Sequence, residues 1–182
     1  MNIGFIGAGN MGGALARAIS KVSETKVYIY DISIEKSRDL ASKIEARATD
    51  FCEVVSSSDI LFLGVKPNAL SDLCHSVGEI AKDDTLIVSM AAGVKIASIE
   101  SALSKKLPII RIMPNTPVLV GEGFTAYAKN EHVTDGKLSD FLSAMQYTGT
   151  LEALSEEEID SFCAIAGCGP AYAYIFIDAL AK

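Results

Sequence analysis

The run Gly4-Phe5-Ile6-Gly7-Ala8-Gly9-Asn10-Met11-Gly12-Gly13 constrains this chain more than any other stretch. Residues 3–6 are apolar and short enough for a buried strand. Gly7, Gly9 and Gly12 follow at G-x-G-x-x-G spacing, and Ala14-Leu15-Ala16-Arg17-Ala18-Ile19 has good helix propensity. In a strand–turn–helix unit the first glycine permits the tight turn. The second lets a pyrophosphate approach the backbone, and the third lets helix and strand pack closely. The free N–H groups and positive dipole end of the helix then face the phosphates. Val27-Tyr28-Ile29-Tyr30 reads as a second strand, and Asp31 ends it. That is near the offset of about 20 residues at which an acid meets the adenosine ribose. Strand, glycine turn, helix, strand and acid together predict a dinucleotide site.

Further along, residues 33–44 read as a helix and 45–49 as a short third strand. Asp50 with Glu53 reads as a capping box. Residues 59–65 form a continuous apolar run, as in a strand buried on both faces. It stops at Lys66-Pro67, and Asn68 is placed to cap a helix to about Ala81. Strands are expected at 85–90, 108–113, 123–128 and 149–154, helices at 96–104 and 133–147, and extended loop at Pro114-Asn115-Thr116-Pro117. The alternation predicts an α/β fold: a Rossmann-type, mainly parallel sheet with helices on both faces, over residues 1–153. Residues 154–182 change character. A helix from 155 to about 167 is followed, after Gly169-Pro170, by one that is apolar almost all round, as buried helices are. That segment reads as the start of an all-helical domain.

Ligands of such sheets bind at the carboxyl ends of the strands. The turns there are the glycine loop, Val65-Lys66-Pro67, Ala91-Ala92-Gly93 and Met113-Pro114-Asn115-Thr116. Lys66 brings a positive charge, and Asn115 suits a carboxamide or ribose as well as it suits its own turn. No nucleophile is paired with a base, so no catalytic residue is assigned. A net charge of −7 argues against nucleic acid or anionic membrane as partner. Cys52, Cys74, Cys163, Cys168, His75 and His132 form no metal-ligand pattern, and no metal is expected. The longest uncharged run, 161–177, is shorter than the roughly 20 residues of a membrane helix and contains Gly167-Cys168-Gly169-Pro170. With no signal peptide in view, the expectation is a soluble, cytoplasmic protein.

Four blocks in order resemble the pyrroline-5-carboxylate reductases: Gly4-Phe5-Ile6-Gly7-Ala8-Gly9-Asn10-Met11, Gly64-Val65-Lys66-Pro67, Arg111-Ile112-Met113-Pro114-Asn115-Thr116-Pro117 and Gly167-Cys168-Gly169-Pro170-Ala171-Tyr172. The similarity covers nearly all of residues 3–182. The resemblance implies reduction of 1-pyrroline-5-carboxylate to L-proline with NADPH or NADH. It implies that Ile6, Gly7, Ala8, Gly9, Asn10, Met11, Val65, Lys66 and Ala92 line the cofactor, with Asn115 near the nicotinamide. Glu156 falls where the family has a substrate-contacting glutamate. The bland alternative is a helix-terminal glutamate serving the dipole.

Two features depart from the family. Asp31 stands where the family often has an uncharged polar residue, and its carboxylate would repel a 2′-phosphate unless Ser33, Lys36 or Arg38 compensates. The family also continues into a helical domain that builds the dimer and carries the loop for the substrate carboxylate. The resemblance therefore implies a homo-oligomer and a chain that binds cofactor but turns over poorly or not at all alone. A 3-hydroxyacid dehydrogenase shares the glycine block but needs a lysine in a later helix, for which Lys182 is poorly placed. A non-catalytic dinucleotide-binding module is the remaining alternative.

Overall fold

A computed structural model describes residues 1–182. Its frame is one eight-stranded sheet. The strands are β1 (Asn2–Ile6), β2 (Lys26–Tyr30), β3 (Arg47–Ala48), β4 (Ile60–Leu63), β5 (Leu86–Ser89), β6 (Ile109–Met113), β7 (Gly123–Lys129) and β8 (Gly149–Ala153). Their order is β3-β2-β1-β4-β5-β6-β7-β8. Strands β1 to β6 pair in parallel, β7 runs antiparallel to β6, and β8 runs parallel to β7. The chain order reverses between β1 and β4, and a crevice opens there at the carboxyl ends of the strands.

Alternating side chains feed two cores. Ile60 and Phe62 of β4 join Ile3, Phe5 and Ile29 beneath α1 (Asn10–Ile19) and α2 (Ile34–Lys43), with α6 (Asp135–Ala144) on the same face. Phe5 and Phe62 stack there at 4.7 Å. Leu61 and Leu63 join Ile87, Ile109 and Met113 on the other face. That face is covered by α3 (Phe51–Ser57), α4 (Pro67–Ile80), α5 (Ile96–Leu103) and α7 (Glu156–Phe162). With about 25 cal/mol per Å² of apolar surface removed from water, these layers dominate the stability of the sheet.

Several local expectations are corrected. Asn68 does not cap α4: Lys66 is the cap and Pro67 the first helical residue, where its missing N–H costs nothing. Thr116–Val120 is a 3₁₀ turn rather than extended chain. Only half of the Asp50 box forms. Asp50 accepts the Glu53 N–H, while Glu53 turns to Arg47 and Thr49. Helix α6 is shorter than expected because Thr134 caps it by accepting the Lys137 N–H.

The largest correction is at the C-terminal side. Gly167 to Pro170 do not break the helix. A π turn at Cys163–Gly167, in which the Cys168 N–H donates to the Cys163 carbonyl at 3.1 Å, joins α7 to α8 (Gly169–Leu180). The result is a continuous 25-residue helix, Glu156–Leu180, long and apolar enough to cross a membrane by length and composition alone. None of the residues of α8 is buried, contrary to the expectation for so apolar a helix.

Candidate cofactor-binding site

The glycine loop leaves β1 at Ile6, whose side chain lies in the core and whose carbonyl accepts the Gly64 N–H. Gly7 has φ +106°, and a Cβ there would sit 2.5 Å from the Gly64 carbonyl oxygen. A Cβ on Gly12 would lie 2.3 Å from the Gly7 oxygen. Packing alone requires both glycines, and Ile6 and Gly12 supply frame rather than surface.

Gly9 is different. Its backbone is extended, with φ −72° and ψ −173°, and a Cβ would meet nothing within 4 Å. The fold does not need glycine there, and the bare backbone leaves room for a ligand to lie against it. Behind Gly9, α1 begins with no side-chain cap and no acid in its first turn, so its positive end is open. Gly9, Asn10 and Met11 border a cleft of about 430 Å³ that Arg17, Lys36, Thr116 and Leu119 also line, with Asp39 at its wall and salt-bridged to Lys43. Neither Arg17 nor Lys36 is in an ion pair. An uncapped helix end, an open glycine and two free cations fit a pyrophosphate.

The other expected residues divide. Lys66 and Ala92 are exposed at the ends of β4 and β5, and Val65 is half-buried beside Lys66. Asp31 ends β2, but its carboxylate already serves the protein. Oδ2 accepts the Ala8 N–H at 2.7 Å and Oδ1 the Ser33 N–H at 2.9 Å. It therefore braces the glycine loop. A second hollow runs past it along Ile34, Arg38 and Thr49.

Asn115 is partly committed within the protein and 8% exposed. Its Oδ1 accepts the Phe124 N–H at 2.8 Å and its amide donates to the Ala166 carbonyl at 3.1 Å. The residue ties the sheet to the π turn, and its loop reaches the cleft through Thr116 instead. Glu156 lies away from the glycine loop. Its Oε1 accepts the Ile96 N–H at 2.6 Å and faces Arg111 at 3.4 Å.

Arg111 was visible only as part of a strand and a motif block. It is fully buried on β6, and its second nitrogen meets Asp160 at 2.6 Å. A lone charge inside Ile109-Ile110-Arg111-Ile112-Met113 was the available signal, because a buried cation must be paired. No three or more His, Cys, Asp and Glu residues gather into a metal-binding group. All four cysteines are free, and burial pushes the Cys74 thiol up to about 11.

Fold and cleft together have the form of a Rossmann-type, dinucleotide-binding α/β domain. The family described as NADP oxidoreductase, coenzyme F420-dependent, matches residues 2–93. The pyrroline-5-carboxylate reductase of Escherichia coli (strain K12) is 34% identical over 183 residues, covering 98% of this chain and 68% of the relative. The structure of 1-pyrroline-5-carboxylate reductase from Streptococcus pyogenes superposes with a TM-score of 0.90 at 30% identity, over all of this chain and 69% of that one. The Plasmodium falciparum pyrroline carboxylate reductase with NADP bound gives 0.86 at 29% identity, over 99% and 67%. Mammalian relatives are spanned over 59% of their length. The chain belongs to the pyrroline-5-carboxylate reductase family.

Proposed function

We propose that the chain binds NADPH or NADH in the glycine-loop cleft and serves the reduction of 1-pyrroline-5-carboxylate to L-proline. The observation that carries the cofactor half is Gly9, a glycine the fold does not need, at the open end of α1. Backbone N–H groups of residues 9–11 would hold the pyrophosphate, with Arg17 and Lys36 balancing its charge. Val65, Lys66 and Ala92 would border the remainder. When bound, the reduced nicotinamide supplies the hydride that the carbon of the C=N bond accepts. A protonated imine is already electrophilic, so the protein's contribution is alignment and exclusion of water. The Oε2 atom of Glu156, which has no hydrogen bond, would face the substrate's ring nitrogen, while Oε1 stays with Ile96 and Arg111.

In this reading residues 1–153 are the cofactor domain and 154–182 open a helical domain. The bare α8 is covered by a second copy, so the protein is a homo-oligomer that engages neither nucleic acid nor membrane. It is a soluble enzyme of the cytoplasm. The test is NADPH consumption at 340 nm on adding 1-pyrroline-5-carboxylate, with L-proline identified as product. Consumption dependent on that substrate supports the proposal. Turnover with 3-hydroxyacids instead, or no binding of either cofactor, contradicts it; slow turnover by this chain alone is expected, because it spans about two thirds of its relatives.

A further inference from the structure

Two ties set the turn between β5 and α5. The Ala91 N–H donates to the Ser89 hydroxyl at 3.4 Å, and the Ile96 N–H donates to Glu156 at 2.6 Å. Between them lie Ala92 and Gly93, both exposed. The turn has one weak bond of its own, from the Val94 N–H to the Ala91 carbonyl at 3.5 Å. Gly93 has φ +72° and open space where a Cβ would be. Helix α5 has no cap from its own cap residue, Lys95, and no acid in its first turn. Its capping carboxylate comes from 60 residues away in sequence.

That carboxylate is itself aimed. Arg111 is buried on the strand next to β5, where its register partner is the buried Ser89. Its guanidinium holds Glu156 at 3.4 Å and Asp160, one turn further along α7, at 2.6 Å. A charge-assisted acceptor fixed in this way is strong and directional.

We propose that Glu156 is a positioning residue for the cofactor turn: by capping α5 it sets where Ala92 and Gly93 stand in the crevice. It also links that turn to the first residue of α7, so cofactor turn and terminal helix share one carboxylate. The functional importance of the turn rests on the cofactor reading above; the positioning itself does not.

The experiment compares Glu156→Ala, Glu156→Gln and Asp160→Asn in the full chain. The readouts are amide hydrogen exchange over residues 91–97 and NADPH affinity by fluorescence titration. Asp160 keeps Arg111 paired in Glu156→Ala, and Gln retains an oxygen for the Ile96 N–H. Glu156→Ala should speed Ile96 exchange about tenfold, the scale of a lost helix cap, and weaken NADPH binding about threefold, an ordinary coupling between sites. Glu156→Gln should restore both, and Asp160→Asn should change neither. Unchanged exchange in Glu156→Ala overturns the proposal. So does an equal loss in Asp160→Asn, which would mean general loosening of α7. If the unaltered chain binds no NADPH, the cofactor reading fails, while the exchange comparison still decides whether Glu156 positions the turn.

Discussion

Gly9 and Gly7 carry the same letter for different reasons. Gly7 is glycine because its backbone is left-handed and pressed against Gly64. Gly9 has an ordinary conformation and empty space around it. Gly9→Val should therefore fold with an unchanged circular dichroism spectrum and lose NADPH binding. Retained binding would mean that the loop is a turn and nothing more. Asp31 invites a similar separation. In the proposed reading its carboxylate would repel a 2′-phosphate, yet it also accepts the Ala8 N–H that shapes the loop. Asp31→Asn keeps one oxygen for the Ala8 N–H, gives up the bond from the Ser33 N–H and removes the charge, so NADPH affinity should rise by about 1 kcal/mol, the scale of a charged contact less one lost hydrogen bond. Asp31→Ala loses the brace as well and should bind NADPH less well than Asp31→Asn. Equal affinity in the two variants, measured by fluorescence titration, would show that the brace is irrelevant.

At the scale of elements, regular structure was legible and long-range polar contacts were not. The glycine loop, the apolar runs at 60–63 and 86–89 and the helices between them follow from periodicity and turn residues. Nothing local to Asn115 says that each end of its side chain makes a hydrogen bond, one with Phe124 and one with a carbonyl 51 residues away. Gly167-Cys168-Gly169-Pro170 reads as a break because glycine and proline usually end helices. The π turn carries the helix across this stretch, with Pro170 in the first turn of α8, where its missing N–H costs little.

Arg111 ties α7 to β6, and Arg111→Leu should cost about 2–3 kcal/mol in urea unfolding. That is below the range for fully buried pairs because Asp160 is 60% exposed. Asp59 gives a pH-dependent counterpart. Burial raises its pKa, but the Asn2 N–H and Lys82 outweigh that and hold it below 3.8. A depressed folded pKa adds stability at pH values above 3.8, and that stability is lost as the pH falls through the folded value. Asp59→Asn should flatten the acid side of the stability curve, and an unchanged curve would remove Asp59 from the account.

On the scale of the molecule, the sheet domain is complete as a packed body, whereas α8 exposes Tyr172, Tyr174, Ile175, Phe176, Ile177 and Leu180 at 60–72%. In the proposed reading a second copy covers this apolar surface. Light scattering of the purified chain should give at least a dimer, and a monodisperse monomer would contradict the covering of α8 by a second copy. The central claim is narrower and lies at the other side of the chain: the glycine-loop cleft is a dinucleotide site. Titrating NADPH into the unaltered chain and into Gly9→Val, with nicotinamide fluorescence as readout, tests it directly. Saturable binding that the valine abolishes is the predicted result; no binding by the unaltered chain, or equal binding by both, would contradict it.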